Sequence, residues 1–286
     1  MSPKVSIVIP AYNNVQYIAE TLESVLNQTF DDYEVVIADH SSIDGTSEVI
    51  ETYRSNPRLR ILSPTPTGGG AQANWNRVSS EARGQYVKLV CGDDLIAPTA
   101  LEEQVAAFDS NPSAVLVASQ RDLVDSKGDV FIKSRGLQGI SGLVSGVKAV
   151  RATVLAGSNI FGEPACVMFR RELIEQEGGW DNTNPYLIDQ ATYARICLHG
   201  DVVALRKSLA TFRISASQWS VRLAKQQSDQ AIAFHREIAA KHPGILSKTD
   251  LYIGNLKAIG MSYARRLAYL RLGKRMGHEL AVESTV

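Results

Sequence analysis

The chain carries three cysteines in 286 residues, namely Cys91, Cys166 and Cys197, and no two of them form a C-x-x-C pair. Three widely spaced thiols argue against a disulfide framework and a structural zinc site, and they fit a reducing cytosol. No apolar run approaches the roughly 18 residues a membrane span needs, and residues 5–9 are too short for the core of a signal peptide. Net charge is missing as well. Lys plus Arg and Asp plus Glu both number 30, so neither a basic field for nucleic acid nor an acidic solvating tail is expected. The first apolar run ends in Pro10-Ala-Tyr-Asn-Asn14, where a dinucleotide-binding dehydrogenase would need G-x-G-x-x-G. Gly68-Gly-Gly70 lacks the Lys-Ser/Thr of a phosphate loop and reads as a flexible turn that a ligand can approach closely. The basic glycine-rich signature of a sugar-phosphate nucleotidyltransferase is absent too, as are internal repeats and linker-like breaks in composition.

With 44% hydrophobic residues the chain can bury a substantial core. Residues 5–9 and 34–38 read as buried strands. Between them apolar positions Val15, Ile18, Leu22, Val25 and Leu26 recur at helical spacing behind an asparagine N-cap. A helix over 46–53, a strand at 60–62, a helix over 71–82 and a strand from Tyr86 continue the alternation, which predicts a right-handed parallel α/β unit. Ligands of such sheets sit beyond the carboxyl ends of the strands. Pro10 to Asn13, Asp39, the three glycines and Asp93-Asp94 all fall there.

Beyond Pro98 the pattern predicts a helix to about Asp109, a strand at 114–118 and a hairpin-like segment through Asp129 and Lys133. A mobile loop over 136–146, a helix over 147–156, a strand at 165–169 and a helix over 186–199 follow. Strands at 202–205 and 209–214 come next, and the chain reads as helical from about Val221. Residues 251–276 carry Lys257, Arg265, Arg266, Arg271, Lys274 and Arg275. A solvated face is expected for that run, and a surface for an anionic membrane or a partner helix is the second reading.

The strand from Tyr86 runs into two adjacent carboxylates, Asp93 and Asp94, before Pro98 stops it. Like charges at a strand end resist desolvation and are tolerated where a cation or solvent reaches them. The residues alone allow a divalent-metal and phosphate site or a solvated loop capping the next helix.

Across roughly residues 4 to 215 the chain resembles the family 2 glycosyltransferases with a GT-A fold. Residues 5–13 are similar to the opening strand and nucleotide loop, and Asp39-His-Ser-Ser-Ile-Asp-Gly-Thr46 to the D-D-G-S-T-D-G-T element. Asn74-Trp-Asn-Arg77, Ala82-Arg-Gly84 and Cys91-Gly-Asp-Asp94 resemble a subgroup pattern around the D-x-D motif, one that often handles deoxysugars such as rhamnose. Phe161-Gly-Glu-Pro164, Phe169-Arg-Arg171, Gly178-Gly-Trp-Asp181 and Ile188-Asp189 resemble the acceptor half.

The resemblance implies an α/β GT-A fold, a Rossmann-like mixed, mostly parallel sheet flanked by helices. Its catalytic domain would span 1–215, with a nucleotide-sugar half over 1–118 and an acceptor half over 119–215, and a helical extension would follow over 216–286. It implies an inverting, metal-assisted transfer of a sugar from a UDP- or dTDP-linked donor to a hydroxyl acceptor, whether a glycan, a lipid-linked group or a natural product. Asp189 would be the general base. Pro10, Ala11, Tyr12, Asn13, Asp39, Gly70, Asn76, Asp93 and Asp94 would bind the donor, with Asp94 holding Mn²⁺ or Mg²⁺, Asp39 accepting from the base imide and Tyr12 stacking on the base. Glu163 and Trp180 would shape the acceptor pocket. The protein is expected in the cytoplasm, and peripheral contact with the inner membrane face and a homo-oligomer are left open. Three positions depart from the family pattern: His40 stands where a second Asp is frequent, Cys91 replaces the first D-x-D carboxylate, and Ser215 stands where many relatives place a metal-binding His. A non-catalytic sugar-nucleotide or glycan-binding protein on the same fold is the alternative.

Overall fold

The computed structural model describes residues 2–214 and 226–272. The first half alternates β1 (Val5–Ala11), α1 (Ile18–Leu26), β2 (Tyr33–Asp39), α2 (Thr46–Glu51), β3 (Leu59–Ile61), α3 (Gly70–Ser80) and β4 (Tyr86–Leu89). A two-residue β5 (Leu95–Ile96), α4 (Ala100–Ser110), β6 (Ala114–Val124), β7 (Val130–Arg135), β8 (Gly142–Ser145) and α5 (Gly146–Ala156) follow. The second half closes with β9 (Val167–Arg170), α6 (Arg171–Gln176), α7 (Ile188–Cys197), β10 (Asp201–Arg213), α8 (Gln227–Lys241) and α9 (Lys248–Leu272).

One mixed sheet runs β3-β2-β1-β4-β9-β6-β10-β5, with β7 paired to β6 and β8 to β10. Its longest ladders are parallel: Val5 to Ala11 against Tyr33 to Asp39, and β10 along β6. β1 and β2 are buried almost throughout, because helices cover both faces of a parallel block. β9 lies antiparallel between β4 and β6. It thereby sets the residues just before it, Glu163 to Cys166, beside the carboxyl end of β4. Lys88, fully buried on β4, donates to Gln104 Oε1 at 2.9 Å and to the Ala165 carbonyl at 2.5 Å. Gln104 Nε2 donates to the Cys166 carbonyl at 2.9 Å. Burial pushes the Lys88 amine down to about 7, which lowers the cost of holding it inside the protein.

Several elements differ from the sequence expectation. Residues 142–145 are a strand inside the expected mobile loop, antiparallel to β10, and Leu137 and Ile140 beside it are buried. Strands expected at 202–205 and 209–214 are one strand, bulged between Leu205 and Ala210. Asparagine does not cap α1: Tyr17 is the N-cap and makes no side-chain cap bond, while the Asn14 side chain accepts from the Tyr12 N–H at 2.8 Å. The strand expected from Ala165 starts as a 3-10 turn over Pro164–Cys166, and the helix expected from Tyr186 starts as a 3-10 turn over Pro185–Leu187.

Lys257 is exposed on α9 as expected, but the exposed surface of the helix is apolar too. Tyr252, Leu256, Tyr263 and Leu267 are 51–68% exposed there, whereas Arg265 turns inward, 5.6 Å from the Tyr186 ring centre. Among the described residues no helix is long and apolar enough to cross a membrane. Ser215, Lys274 and Arg275, the helix expected from Val221 to Lys225, and the expected domain boundary at 215/216 lie outside the described residues.

Candidate active site

At the carboxyl edge of the sheet lies a cavity of about 1140 Å³. Pro10, Tyr12, Asn13, Gly70, Asp93, Asp94, Glu163 and Asp189 all line it, so residues from both halves of the sheet meet at one place. The loops are locked to each other. Asn13 takes a left-handed φ of 49°, donates its N–H to the Ser42 hydroxyl at 2.8 Å and accepts from the Ile43 N–H at 3.1 Å. Asn14 donates its N–H to the Thr46 hydroxyl at 2.8 Å. Gly92 packs so closely on this loop that a Cβ would sit 2.5 Å from Asn14 Oδ1, so a side chain there would displace the Asn14 amide from the Tyr12 N–H. Gly68, Gly69 and Gly70 all have positive φ, from 59° to 97°, and enter α3 through a path that other residues rarely adopt.

Asp39 is 7% exposed. Its carboxylate accepts from the Ser42 hydroxyl, the Ser42 N–H at 3.0 Å and the Ser47 hydroxyl at 2.6 Å. Asn74 clamps the strand ends from below, donating to the Ala11 and Ala38 carbonyls at 3.1 Å each and accepting from the Thr65 hydroxyl.

Four carboxyl groups share the cavity. Asp94 is 1% exposed. Burial first, then the charges of Asp93 and Glu163, push its carboxyl well above the usual range. Its Oδ1 faces the Arg213 N–H at 3.4 Å. The Cys91 thiol is raised as well, by burial and then by Asp94 and Asp93, which disfavours the thiolate. Oxygen donors of this kind suit Mg²⁺ or Mn²⁺. No group of three or more His, Cys, Asp or Glu able to hold a metal ion is found among the described residues. Asp93 and Asp94 on the cavity wall are the carboxylates that would enter the shell of such a cation, beside ligand oxygens and water.

Asp189 sits in the first turn of α7. The N-cap of that helix is Leu187, so Asp189 is not serving as a cap. Its Oδ2 accepts from Asn159 Nδ2 at 2.8 Å and its Oδ1 from the Gln190 N–H at 2.6 Å. Burial raises its carboxyl to about 7, with Glu163 adding to the rise and the two hydrogen bonds opposing it. Glu163 is held by an ion pair with the buried Arg121, whose Nη2 donates to Glu163 Oε1 at 3.0 Å.

Four expected site residues do not line the cavity, and one of them is Asp39, whose carboxylate is turned into its own loop. Ala11 is fully buried and its carbonyl is taken by Asn74 and the His40 N–H. Asn76 spends its amide on the backbone of Trp180, accepting from its N–H at 2.8 Å and donating to its carbonyl at 3.3 Å. Trp180 is 1% exposed, packs edge-on against Trp75, Phe169 and Tyr193, and donates its indole N–H to the Ser79 hydroxyl at 2.8 Å. It is core, not acceptor wall. Trp180→Ala is expected to cost about 3–5 kcal/mol of stability in urea unfolding. A loss below about 1 kcal/mol would contradict that placement.

Sequence reasoning missed Asn159, Gln190, Arg121, Arg135 and Arg265 as cavity residues. Asn159, Arg121 and Arg135 lie on strands or loops with no motif to mark them. Arg265 was one charge in a run, and only the rotation of α9 turns it inward.

A family model described as Glycosyl transferase family 2 matches residues 6–178. Uncharacterized protein MT1568 of Mycobacterium tuberculosis (strain CDC 1551 / Oshkosh) is 30% identical over 229 residues, which cover 77% of this chain and 70% of that protein. Several other curated relatives match over 120 to 137 residues, or 13% to 46% of their own lengths. Among solved structures, S. aureus TarS 1-349 in complex with UDP superposes with a TM-score of 0.67 at 20% identity, over 93% of this chain and 74% of that one. The mannosyltransferase PcManGT from Pyrobaculum calidifontis, in complex with GDP-Man and Mn²⁺, gives 0.65 at 19% identity over 95% and 76%. By sequence and by fold, the chain belongs to glycosyl transferase family 2 and is a glycosyltransferase of GT-A architecture.

Proposed function

We propose that the protein transfers a sugar, with inversion, from a UDP- or dTDP-linked donor to an acceptor hydroxyl, with Asp189 as general base. The observation that carries this reading is Asp189 itself: a carboxyl with a proton affinity near neutrality, on the wall of the cavity that also holds Asp93 and Asp94. General-base catalysis is most effective when the pKa of the base lies near the working pH. The UDP held by TarS and the GDP-Man with Mn²⁺ held by PcManGT support a nucleotide-sugar donor and a divalent cation.

In this reading the nucleotide lies across the β1 and β2 loops. Tyr12 is 56% exposed and free to stack on the base. Asp39 uses three acceptor positions of its carboxylate within its own turn, and a carboxylate offers about four, so one remains for the imide of uracil or thymine. Asp93 and Asp94 would hold Mn²⁺ or Mg²⁺, which would offset the charge that develops on the diphosphate as it leaves. Asp189 removes the proton of the acceptor hydroxyl, the oxygen forms its bond to the anomeric carbon from the opposite face, and the bond to the diphosphate breaks, its electron pair leaving with the phosphate oxygen. Asn159 and the Gln190 N–H hold both Asp189 oxygens in fixed directions, which limits the reorientation the attack requires.

The pH dependence follows from the sign of the shift. Asp189 acts as a base only when ionised, and its carboxyl titrates at about 7. The turnover number is therefore expected to fall about tenfold per pH unit below 7 and to level off above it. A rate that is flat from pH 5 to 8 would remove Asp189 from the role. Calorimetric titration of UDP, dTDP and GDP with and without Mn²⁺, followed by donor hydrolysis assays, tests the reading as a whole. Absence of nucleotide binding would end it.

A further inference from the structure

A strand covered on both faces calls for apolar side chains throughout, yet the third residue of β4, Lys88, is a fully buried lysine. Its amine has no carboxylate within ion-pair distance among the described residues. Its partners are neutral: Gln104 Oε1 at 2.9 Å and the Ala165 carbonyl at 2.5 Å. Burying an amine among neutral partners costs more than burying a methionine of similar length.

The segment that Lys88 grips carries Glu163 into β9. β9 pairs with β4 at Phe169 and Arg170 and with β6 from Val167 to Phe169, so the 3-10 turn Pro164–Cys166 precedes both ladders. Side chains take over there. Lys88 holds the Ala165 carbonyl, while Gln104 Nε2 at 2.9 Å and the Ser119 hydroxyl at 3.2 Å donate to the Cys166 carbonyl. The Cys166 N–H returns to the Glu163 carbonyl at 2.9 Å. On the other side of Glu163, Gly162 has a φ of 90° and packs so closely that a Cβ would lie 2.7 Å from Cys166 Sγ. The backbone at Glu163 is therefore pinned from both directions, and its carboxylate is paired with Arg121.

The position of Glu163 matters to the chemistry. Its charge helps raise the carboxyls of both Asp94 and Asp189, and all three line one cavity. Of the other titratable groups facing Asp189, Cys91, Tyr186 and Tyr193 are pushed upward by burial and stay neutral at pH 7. That leaves Glu163 and its partner Arg121 as the charges Asp189 feels.

We propose that Lys88 is a positioning residue for sugar transfer: by gripping the turn after Glu163 from the strand that leads to Asp93 and Asp94, it keeps the Glu163 carboxylate in place on the wall shared with Asp94 and Asp189. The proposal rests on the reading of Asp189 as general base and adds a residue that acts on it through Glu163.

The test is hydrolysis of α-linked UDP-sugars by the full chain with Mn²⁺, with water as the acceptor, followed as kcat and KM from pH 5 to 9, beside calorimetric titration of UDP. Lys88→Met keeps the length of the side chain and removes its donors. It is expected to lower kcat about 10- to 100-fold, the scale of a catalytic group displaced by about 1 Å, with UDP affinity unchanged. Because Glu163 raises Asp189, its withdrawal is expected to move the acid limb of the kcat profile below that of the wild type. In Glu163→Gln protein, which has already lost the charge, Lys88→Met is expected to change kcat less than about twofold and to leave the acid limb where Glu163→Gln put it, the non-additivity of residues that act in one chain. A folded Lys88→Met protein with wild-type kcat and acid limb would overturn the proposal. Equal fold-losses in the two backgrounds would also overturn it, since they mark a contribution to stability alone. Gln104→Met cuts the second tie to the turn and is judged by the same two criteria, so it decides the question if Lys88→Met does not fold. The wild type separates the two levels: no acid limb near pH 7 in the unaltered protein contradicts the general-base reading, whereas a normal wild type with an unchanged Lys88→Met variant contradicts the positioning role alone.

Discussion

Asp189→Asn is expected to lower sugar transfer by about 10² to 10⁴-fold, the usual contribution of a positioned general base, with nucleotide affinity unchanged. The site explains why the two effects should separate. Asp189 is in the first turn of α7 and is held by Asn159 and the Gln190 N–H, whereas the nucleotide loops are braced by Asn13, Ser42 and Thr46. The substitution should also leave the fold intact. A carboxyl raised from 3.8 to about 7 in the native state favours folding while protonated, and that contribution is lost as pH rises through about 7. At pH 8 the wild-type fold therefore carries the cost of a buried carboxylate that an amide does not. Asn keeps only one of the two acceptor oxygens, which offsets part of the gain. The thermal midpoint of the variant at pH 8 is expected to equal or exceed that of the wild type. A variant that is inactive because it has unfolded would show the opposite.

The second large effect is expected at Asp94. Asp94→Asn keeps the size of the side chain and its contact with the Arg213 N–H but removes the charge that would hold a cation beside Asp93. Transfer is expected to fall by about 10² to 10³-fold, as when one electrostatic stabiliser of a developing charge is removed. Metal-stimulated UDP binding should drop to the level seen in the wild type with chelator. If chelator and Asp94→Asn both leave turnover unchanged, these residues do not hold a catalytic cation. Because no cluster of three ligands is found among the described residues, nucleotide and Mn²⁺ should bind each other's complex more tightly than either binds alone, a reciprocity that calorimetry can read in both directions.

The parallel half of the fold was legible because strands such as Val5 to Ile9 are apolar on both faces and end in Pro, Gly or Asp at the sheet edge. The convergence of Pro10, Tyr12, Asn13, Gly70, Asp93 and Asp94 follows from that topology, since strands that run in parallel bring their following loops to one side. Local patterns failed where pairing is decided at long range. Gly142 to Ser145 looks like a glycine-rich loop and becomes a strand only because β10 offers it an antiparallel edge. Trp180 and Asn76 show the same limit within the site. The resemblance assigned both to ligand contact, but the Asn76 amide bonds the Trp180 backbone and the Trp180 indole bonds Ser79, and nothing in the spacing of positions 76 and 180 reveals it. The proton affinity of Asp189 was also hidden, because it depends on burial and on Glu163 rather than on neighbours in sequence.

The central claim is that Asp189 directs attack on the face of the sugar opposite the leaving diphosphate. Its most direct measurement is the anomer first released when α-linked UDP-sugars are hydrolysed by the wild-type protein with Mn²⁺, followed by proton NMR before mutarotation. The account predicts the β anomer first, and its loss in Asp189→Asn. Release of the α anomer first, or β-anomer formation that survives Asp189→Asn undiminished, would contradict it.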